Sequence, residues 1–243
     1  MNSLKERLAL SAFQLKLIAF VCMLADHTAM VFLSEDSAVY LALRLMGRLA
    51  FPLYAFLIAE GARRTENTWK YLLRLGKFAV LSEIPYDLAL GKGLWDWSSQ
   101  NALFTLAFSL LGIHLYRLCN RKWPHSFLQL LGVGAVLLLA GIAGFTGMAY
   151  GVIGVILPFG LYIWLTEWGG NLRHLVFMAL FLGVFWLSGT QVFALAAFLL
   201  ILLYNGEKGT RLGKYWFYAA YPAHLLILYL IRLALLMSQN TIL

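Results

Sequence analysis

The sequence predicts an all-α polytopic membrane protein with about nine transmembrane helices in a single bundle. Hydrophobic residues make up 62% of its 243 positions and charged residues only 12%, and the mean hydropathy is +0.78. A water-soluble domain of this length would complete its core well before it used so many apolar residues. The apolar residues are also grouped into runs close to the ~20 residues with which a helix crosses a bilayer.

Nine apolar runs follow one another, separated by polar or glycine-rich segments. They cover residues 13–33, 38–62, 69–91, 98–117, 126–144, 147–167, 172–188, 189–204 and 215–237. The seventh and eighth runs are either two short spans joined at Ser188-Gly189 or one long broken element, so eight or ten spans also fit the pattern. No internal repeat or long linker divides the chain, and we expect residues 1–243 to form a single transmembrane domain.

The basic residues predict the direction of the helices. Loops rich in lysine and arginine are expected in the cytoplasm. With nine spans they alternate with loops that hold Glu35, Asp36, Lys92 and Asp96, and the N-terminus is then cytoplasmic. The basic residues assigned to cytoplasmic loops are Lys5, Arg7, Arg63, Arg64, Lys70, Arg117, Arg121, Lys122, Arg173, Lys208, Arg211 and Lys214.

Charge and cysteine content exclude several classes of function. The formal net charge of +8 comes mostly from these short loops, so it reports membrane topology and not nucleic-acid binding. Cys22 and Cys119 lack metal-ligand spacing, so we expect neither a disulfide framework nor a metal site. The first residues do not have the pattern of a cleavable signal peptide.

Titratable side chains inside the apolar runs predict a polar cavity. An ionised group at the bilayer centre costs at least ~2.5–3.5 kcal/mol, so each must face a partner, the bundle interior or water. The predicted lining of the outer half of the bundle is Asp26, His27, Arg44, Arg48, Glu83 and Asp87. Further polar residues expected in the substrate cavity are Glu60, Asn101, Tyr150 and His224.

The first run places a basic residue and a histidine on one helical face. His27 follows Lys16 by eleven positions, which is about 16 Å along a helix and within roughly 20° of three whole turns. Simpler interpretations stay open: Lys16 reaches the cytoplasmic headgroups, and Asp26 is a structural partner of the arginines. Likewise, Glu60 forms an ordinary ion pair with its neighbouring arginines, or His224 lies at the membrane interface.

The types of these buried residues indicate a general base together with a binding site for an anionic group. A histidine next to an aspartate suits general base catalysis, because a carboxylate can orient the ring and stabilise its protonated form. Arg44 and Arg48 lie one turn apart, and their planar donors suit a carboxylate or phosphate. The partner of this pair is therefore either a local acid or an anionic ligand.

The same residues resemble a known family. The segments KLIAFVCMLADHTAMVF, RLMGRLAFPLYAFLIAEGARRT, KYLLRLGKFAVLSEIPYDLAL and FYAAYPAHLLILYL resemble the TraX family, whose founding member is linked to N-terminal acetylation of conjugative pilin. The resemblance extends from about residue 14 to 231. More distantly, the chain is similar to membrane acyltransferase family 3, in which a basic residue precedes a histidine by eleven positions and a basic pair precedes a proline. Here these are Lys16 with His27, and Arg44 with Arg48 before Pro52.

The resemblance implies a bacterial inner-membrane acetyltransferase that takes the acetyl group from cytoplasmic acetyl-CoA. The acceptor would be an amine or hydroxyl at the outer side, on a pilin-like peptide, a glycan or a lipid headgroup. His27 would be the base and Asp26 would orient it, while Arg44 or Arg48 stabilises the oxyanion or holds the pantetheine. The residues expected at the nucleotide phosphates are Lys16, Arg63 and Arg64.

Other functions stay open at this point. A proton-coupled transporter of a small anionic solute would also use buried arginines and an Asp-His pair, although no matched repeat halves or broken helices are visible. A membrane protease would use Glu83 or Glu60 with His224, although no paired-glutamate or histidine–metal spacing is present. Direct transfer and an acyl-histidine intermediate are both compatible with the sequence, and the oligomeric state is open.

Overall fold

The structure is a computed structural model that describes residues 8–91, 93–94, 96–122, 127–185, 189–210 and 215–240. Several basic residues used to predict the orientation lie outside this part of the chain. They are Lys5, Arg7, Lys92, Arg211 and Lys214, together with the side chain of Lys122.

The described residues are helical almost throughout. The helices are α1 (Ala12–Phe32), α2 (Ala38–Gly47), α3 (Ala50–Arg64), α4 (Thr68–Ala89), α5 (Ala102–Lys122), α6 (Phe127–Phe145), α7 (Gly151–Thr166), α8 (Leu172–Phe185), the 3-10 helix η1 (Gly189–Leu195), α9 (Ala196–Leu202) and α10 (Trp216–Asn240). If α2 is joined with α3 and η1 with α9, the described ranges hold nine helical segments, in the order of the nine apolar runs. The all-α class is therefore confirmed for this part of the chain.

Five of these segments have the length and composition needed to cross a membrane. They are Ala12–Phe32, Ala38–Arg64, Ala102–Arg121, Phe127–Phe145 and Trp216–Gln239. The chain is thus a membrane protein by composition, while nine crossings and a cytoplasmic N-terminus stay predictions. Helix α4 is long enough, with 22 residues, but it carries five charged side chains. Helix α7 has 16 residues, or about 24 Å, which is shorter than the ~30 Å hydrocarbon core.

The chain divides into two compact units. Unit 1 comprises Met1–Tyr54, Ser82–Trp95 and Phe181–Leu243, and unit 2 comprises Ala55–Leu81 and Asp96–Leu180. Helices α3 and α4 each contribute residues to both units. The single domain expected over the whole chain stays a prediction.

In unit 1, α1 packs against α2 and α10. Its first turn is closed by a capping box, in which the Ser11 side chain accepts from the backbone of Gln14 and the Gln14 side chain accepts from the backbone of Ser11. The loop after α9 supplies further acceptors, because the N–H groups of Ala12 and Phe13 donate to the carbonyls of Glu207 (2.8 Å) and Lys208 (3.1 Å). These bonds satisfy N–H groups that the start of a helix leaves without partners.

In unit 2, the helices α5, α6 and α7 pack against one another. The buried residues between α6 and α7 are small or β-branched: Val136, Ala140 and Ala143 on α6 and Val155 on α7. The backbones of α5 and α6 approach closely at Gly132, where an added Cβ would lie 3.0 Å from the Cα of Tyr116. Small residues at such crossings are typical of helices that associate in membranes.

Candidate functional site

The polar side chains of α1 contact α10 at two levels. Near the start of α1, the Lys16 ammonium lies over the ring of Phe217, 5.7 Å from its centroid. Near its other end, the His27 ring stacks on His224, with centroids 5.1 Å apart and planes 12° apart. Both side chains therefore lie on the side of α1 that faces α10, in agreement with their helical spacing.

The two histidines form a hydrogen-bonded chain that ends on a backbone carbonyl. Nδ1 of His27 is 2.8 Å from Nε2 of His224, and Nδ1 of His224 is 2.9 Å from the carbonyl oxygen of Ala220. A carbonyl oxygen only accepts, so Nδ1 of His224 carries the proton and, in the neutral ring, its Nε2 is an acceptor. Nδ1–H of His27 then donates to that acceptor. The lone pair of His27 is consequently on Nε2, the nitrogen that a base would use.

Aromatic side chains surround this histidine pair. Tyr221 lies edge-on to His27 at 6.3 Å and to His224 at 5.5 Å between centroids, and Phe20 lies edge-on to His224 at 5.9 Å. His27 is 9% exposed and His224 is 6% exposed. The orientation of both rings is therefore set by packing as well as by hydrogen bonds.

The residue next to His27 belongs to a separate cluster of charges. Asp26 accepts from Nη1 of Arg44 at 2.8 Å and from Nη2 of Arg48 at 2.8 and 3.1 Å. The Arg48 Nε also donates to the backbone carbonyl of Arg44 at 3.2 Å. Two guanidinium groups thus share one carboxylate, which leaves the Asp26–Arg44–Arg48 cluster with a net charge of +1.

This arrangement revises the role expected for Asp26. Its carboxylate was expected to orient His27, but its oxygens accept from the two arginines, and the ring of His27 is held by His224. The structural interpretation of Asp26, as the partner of Arg44 and Arg48, is the one that the geometry supports. His224 was expected only as a cavity residue, and its direct bond to His27 was not predicted.

Gly47 is a further residue of this site that the sequence analysis did not identify. A Cβ atom added at Gly47 on α2 would overlap the carboxylate of Asp26 on α1. The absence of a side chain at Gly47 therefore lets the two helices approach closely at the charge cluster. The signal was present in the sequence, because Gly47 directly precedes Arg48 in the segment RLMGR.

All six residues predicted to line the outer cavity belong to unit 1. Besides the residues above, these include Glu83 and Asp87, which lie one turn apart on α4 and are 2% and 0% exposed. His224 and Lys16 belong to the same unit. Unit 1 therefore contains most of the titratable groups that the sequence placed inside the apolar runs.

The other predicted residues belong to unit 2. Glu60, which is 3% exposed, accepts from Arg63 at 2.8 and 3.0 Å and from Arg64 at 2.5 Å. This is the ion pair at a helix end that the sequence left open as an alternative. The predicted phosphate-binding residues are thus divided, with Lys16 in unit 1 and the two arginines in unit 2.

Two neutral members of the predicted cavity have structural roles in unit 2. The Asn101 side chain donates to the carbonyl of Ala79 at 2.9 Å and is fully buried. Tyr150 precedes α7 in the left-handed region, with φ of 66°, a conformation that costs a residue other than glycine about 1–2 kcal/mol. Among the described residues, no group of three or more His, Cys, Asp or Glu side chains could hold a metal ion.

Comparisons with known proteins agree on one family. Residues 11–232 match the family model described as TraX protein. A relative from Dichelobacter nodosus, named "Probable fimbrial assembly protein FimC, serogroup H1", is 31% identical over 240 residues, which cover 90% of this chain and 94% of the relative. No solved structure matches the chain.

Proposed function

The chain belongs to the TraX family, and on that premise we propose that it is an integral membrane acetyltransferase. It moves an acetyl group from cytoplasmic acetyl-CoA to an acceptor amine on the outer side of the inner membrane. The name of the relative from Dichelobacter nodosus, a fimbrial assembly protein, favours the N-terminus of a pilin-like subunit over a glycan or lipid acceptor. The observation that carries the proposal is the hydrogen-bonded chain that leaves the lone pair of His27 on Nε2.

The proposed reaction uses this lone pair as a general base. The neutral amine of the acceptor attacks the carbonyl carbon of the thioester, and a C–N bond forms while the C–S bond breaks. Nε2 of His27 takes the proton that the amine loses and passes it to the departing sulfur, which leaves as the thiol of CoA. The ring of His27 is an imidazolium between the two proton transfers and ends neutral, and its hydrogen bond to His224 keeps the proton on Nδ1 in place throughout. An acyl-histidine route would use the same nitrogen as the nucleophile.

The charge cluster beside His27 supports this chemistry electrostatically. Negative charge develops on the carbonyl oxygen and then on the sulfur as the thioester reacts. The Asp26–Arg44–Arg48 cluster has one positive charge in excess, and the Arg48 and Asp26 side chains are only 7% and 12% exposed. A fixed positive charge with little water around it stabilises such an anion more strongly than an exposed charge does.

The position of Lys16 supports delivery of the donor along α1. Lys16 and His27 both contact α10, about 16 Å apart along the axis of α1. An extended pantetheine arm has a similar length. A CoA molecule with its anionic end near Lys16 would therefore bring its thioester to His27.

The proposal is tested with purified protein in detergent, by measuring acetyl-CoA binding and the release of CoA in the presence of an acceptor peptide with a free N-terminus. We expect His27→Ala to bind acetyl-CoA like the wild type but to release CoA at least about 100-fold more slowly, because general base catalysis contributes on the order of 10²–10⁴ in rate. Lys16→Ala should instead weaken binding. The control is His174→Ala, which removes an exposed histidine that contacts Trp168.

Two results would overturn the proposal. One is the absence of acetyl-CoA binding by a folded preparation of the wild type. The other is a rate of CoA release by His27→Ala equal to that of His174→Ala.

A further inference from the structure

Unit 2 contains a half-open polar cavity that neither the predicted site nor the proposed chemistry uses. Its volume is about 390 Å³, which falls within the ~300–1,000 Å³ typical of small-molecule sites. It lies where the start of α4 meets the last turns of α5. The side chains that define its chemistry are Glu66, Trp69, His114, Tyr116, Arg117, Arg121 and Tyr162.

One wall of the cavity is aromatic. The Trp69 indole is 49% exposed, and its ring lies 5.7 Å from that of His114, at an angle of 37°. His114 is itself held by Thr68, whose Oγ1 is 2.5 Å from Nδ1 of the ring. A large, exposed aromatic side chain beside a fixed imidazole offers a surface on which a flat ring can stack.

The other wall is basic. Arg117 is fixed, because its Nη1 donates to the carbonyls of Ala62 (2.6 Å) and Thr65 (3.0 Å) at the end of α3. Arg121 follows one turn later on α5 and is exposed. Among the described residues that line the cavity, these two positive charges face the single carboxylate of Glu66. The lining residues therefore carry one positive charge in excess when His114 is neutral, and the carboxylate of Glu167, outside the lining, accepts from Asn120 at 3.4 Å.

An aromatic wall and a pair of arginines select a ligand that is both flat and anionic. Arginine binds phosphate oxygens with paired donors, while an indole stacks on a nucleobase. A purely anionic ligand would not use Trp69, and a purely apolar ligand would not use the arginines. The ligand that combines the two properties is a nucleotide.

We infer that this cavity of unit 2 binds a nucleotide, with the base on Trp69 and the phosphates on Arg117 and Arg121. The inference goes beyond the proposed function, which uses residues of unit 1. The cavity lies at the ends of α4 and α5 that the distribution of basic residues assigns to the cytoplasm, where nucleotides are available.

The test measures the binding of two probes, adenosine 3′,5′-bisphosphate and acetyl-CoA, to purified protein in detergent. We expect Trp69→Ala to weaken both by about tenfold, because base–aromatic stacking contributes ~1–3 kcal/mol. Arg121→Gln should weaken both as well, whereas pantetheine should bind the variants like the wild type. Arg121 is chosen over Arg117 because Arg117 also supports the end of α3.

The chain offers matched controls. Trp168 contacts His174 with centroids 4.7 Å apart, so it is a second Trp–His pair, and it does not line the cavity. Trp168→Ala and Arg173→Gln should therefore leave the binding of both probes unchanged.

The outcomes separate this inference from the proposed function. If the wild type binds acetyl-CoA but Trp69→Ala and Arg121→Gln bind it equally well, the cavity is not the nucleotide site and the acetyltransferase proposal stands. If the bisphosphate binds in a Trp69-dependent way but no acetyl transfer occurs, the cavity is a nucleotide site and the acetyltransferase proposal fails. If neither probe binds to the folded protein, both are overturned.

Discussion

At the scale of single residues, the position of the proton on the His27 ring is set by a side chain of another helix. Its Nδ1 meets Nε2 of His224, and the other nitrogen of His224 is committed to the carbonyl of Ala220. The carbonyl thus fixes the protonation pattern of two rings in sequence. In the proposed reaction, His224 is a positioning residue, because it acts through His27.

The role of His224 can be tested by comparing two substitutions. His224→Ala removes the acceptor for Nδ1–H of His27, and we expect kcat for CoA release to fall about 100-fold, because the base loses its preferred tautomer. The KM for acetyl-CoA should stay unchanged. His224→Gln supplies an amide oxygen as a new acceptor and should recover part of the rate. An equal loss in both variants would show that packing, and not the hydrogen bond, is what His224 provides.

Gly47 leads to a prediction about stability. In Gly47→Ala the new methyl group would overlap the Asp26 carboxylate, and we expect a loss of about 2 kcal/mol from forced displacement of a packed group. Gly76 is the matched control, because it lies inside α4 and an added Cβ meets nothing within 4 Å. Gly76→Ala should be neutral or stabilising. Thermal unfolding in detergent measures both, and an equal effect of the two substitutions would contradict the prediction.

At the scale of helices, α1 and α2 are joined by a buried charge cluster. Asp26 on α1 accepts from Arg44 on α2 and from Arg48, which directly follows α2. Buried charges contribute little net stability when paired, but removal of one partner leaves the others uncompensated. The cluster therefore fixes the relative position of the two helices more than it strengthens their association.

This asymmetry predicts different effects for the members of the cluster. Asp26→Asn leaves two guanidinium groups close together without a counter-charge, and we expect it to destabilise the protein by about 3 kcal/mol. Arg44→Gln keeps the pair between Asp26 and Arg48 and should cost only about 1 kcal/mol. The free energy of unfolding in detergent measures the difference. If Arg44→Gln proved the more damaging, the carboxylate would not be the centre of the cluster.

The elements that the sequence predicted are those set by local composition. The long helices α1, α5, α6 and α10 follow directly from apolar runs, because hydropathy and helix length are properties of one segment. The residues of the charge cluster could also be predicted, because the free-energy cost of an ionised side chain inside a membrane requires a partner for each of them. The contact between His27 and His224 spans 197 positions, and nothing in either segment specifies the other. The cavity at Trp69 and Arg121 was missed for the same reason, and because its residues are also typical of a membrane interface.

At the scale of the whole molecule, the orientation in the membrane decides which sites meet the cytoplasm. The alternation of basic and acidic loops predicts a cytoplasmic N-terminus, a cytoplasmic loop at Glu66 and an outer loop at Glu35. Both side chains are exposed. The proposed donor and acceptor sides depend on this assignment.

The orientation can be measured by cysteine labelling. After Cys22→Ala and Cys119→Ala, a membrane-impermeant maleimide should label Glu35→Cys in intact cells. It should label Glu66→Cys only after permeabilisation, since that loop is expected inside. The opposite pattern would reverse the proposed direction of acetyl transfer.

The bond between His27 and His224 also has a consequence for biosynthesis. His27 lies in α1 and His224 in α10, 197 positions later in the chain, so the ribosome makes α1 well before α10. The N–H groups at the start of α1 likewise gain their acceptors, the carbonyls of Glu207 and Lys208, only after those residues have been made. A nascent or prematurely terminated chain that lacks α10 would insert α1 into the membrane without the hydrogen bond between His27 and His224. Under the proposed function, acetyl transfer would therefore require α10 to be made and packed against α1.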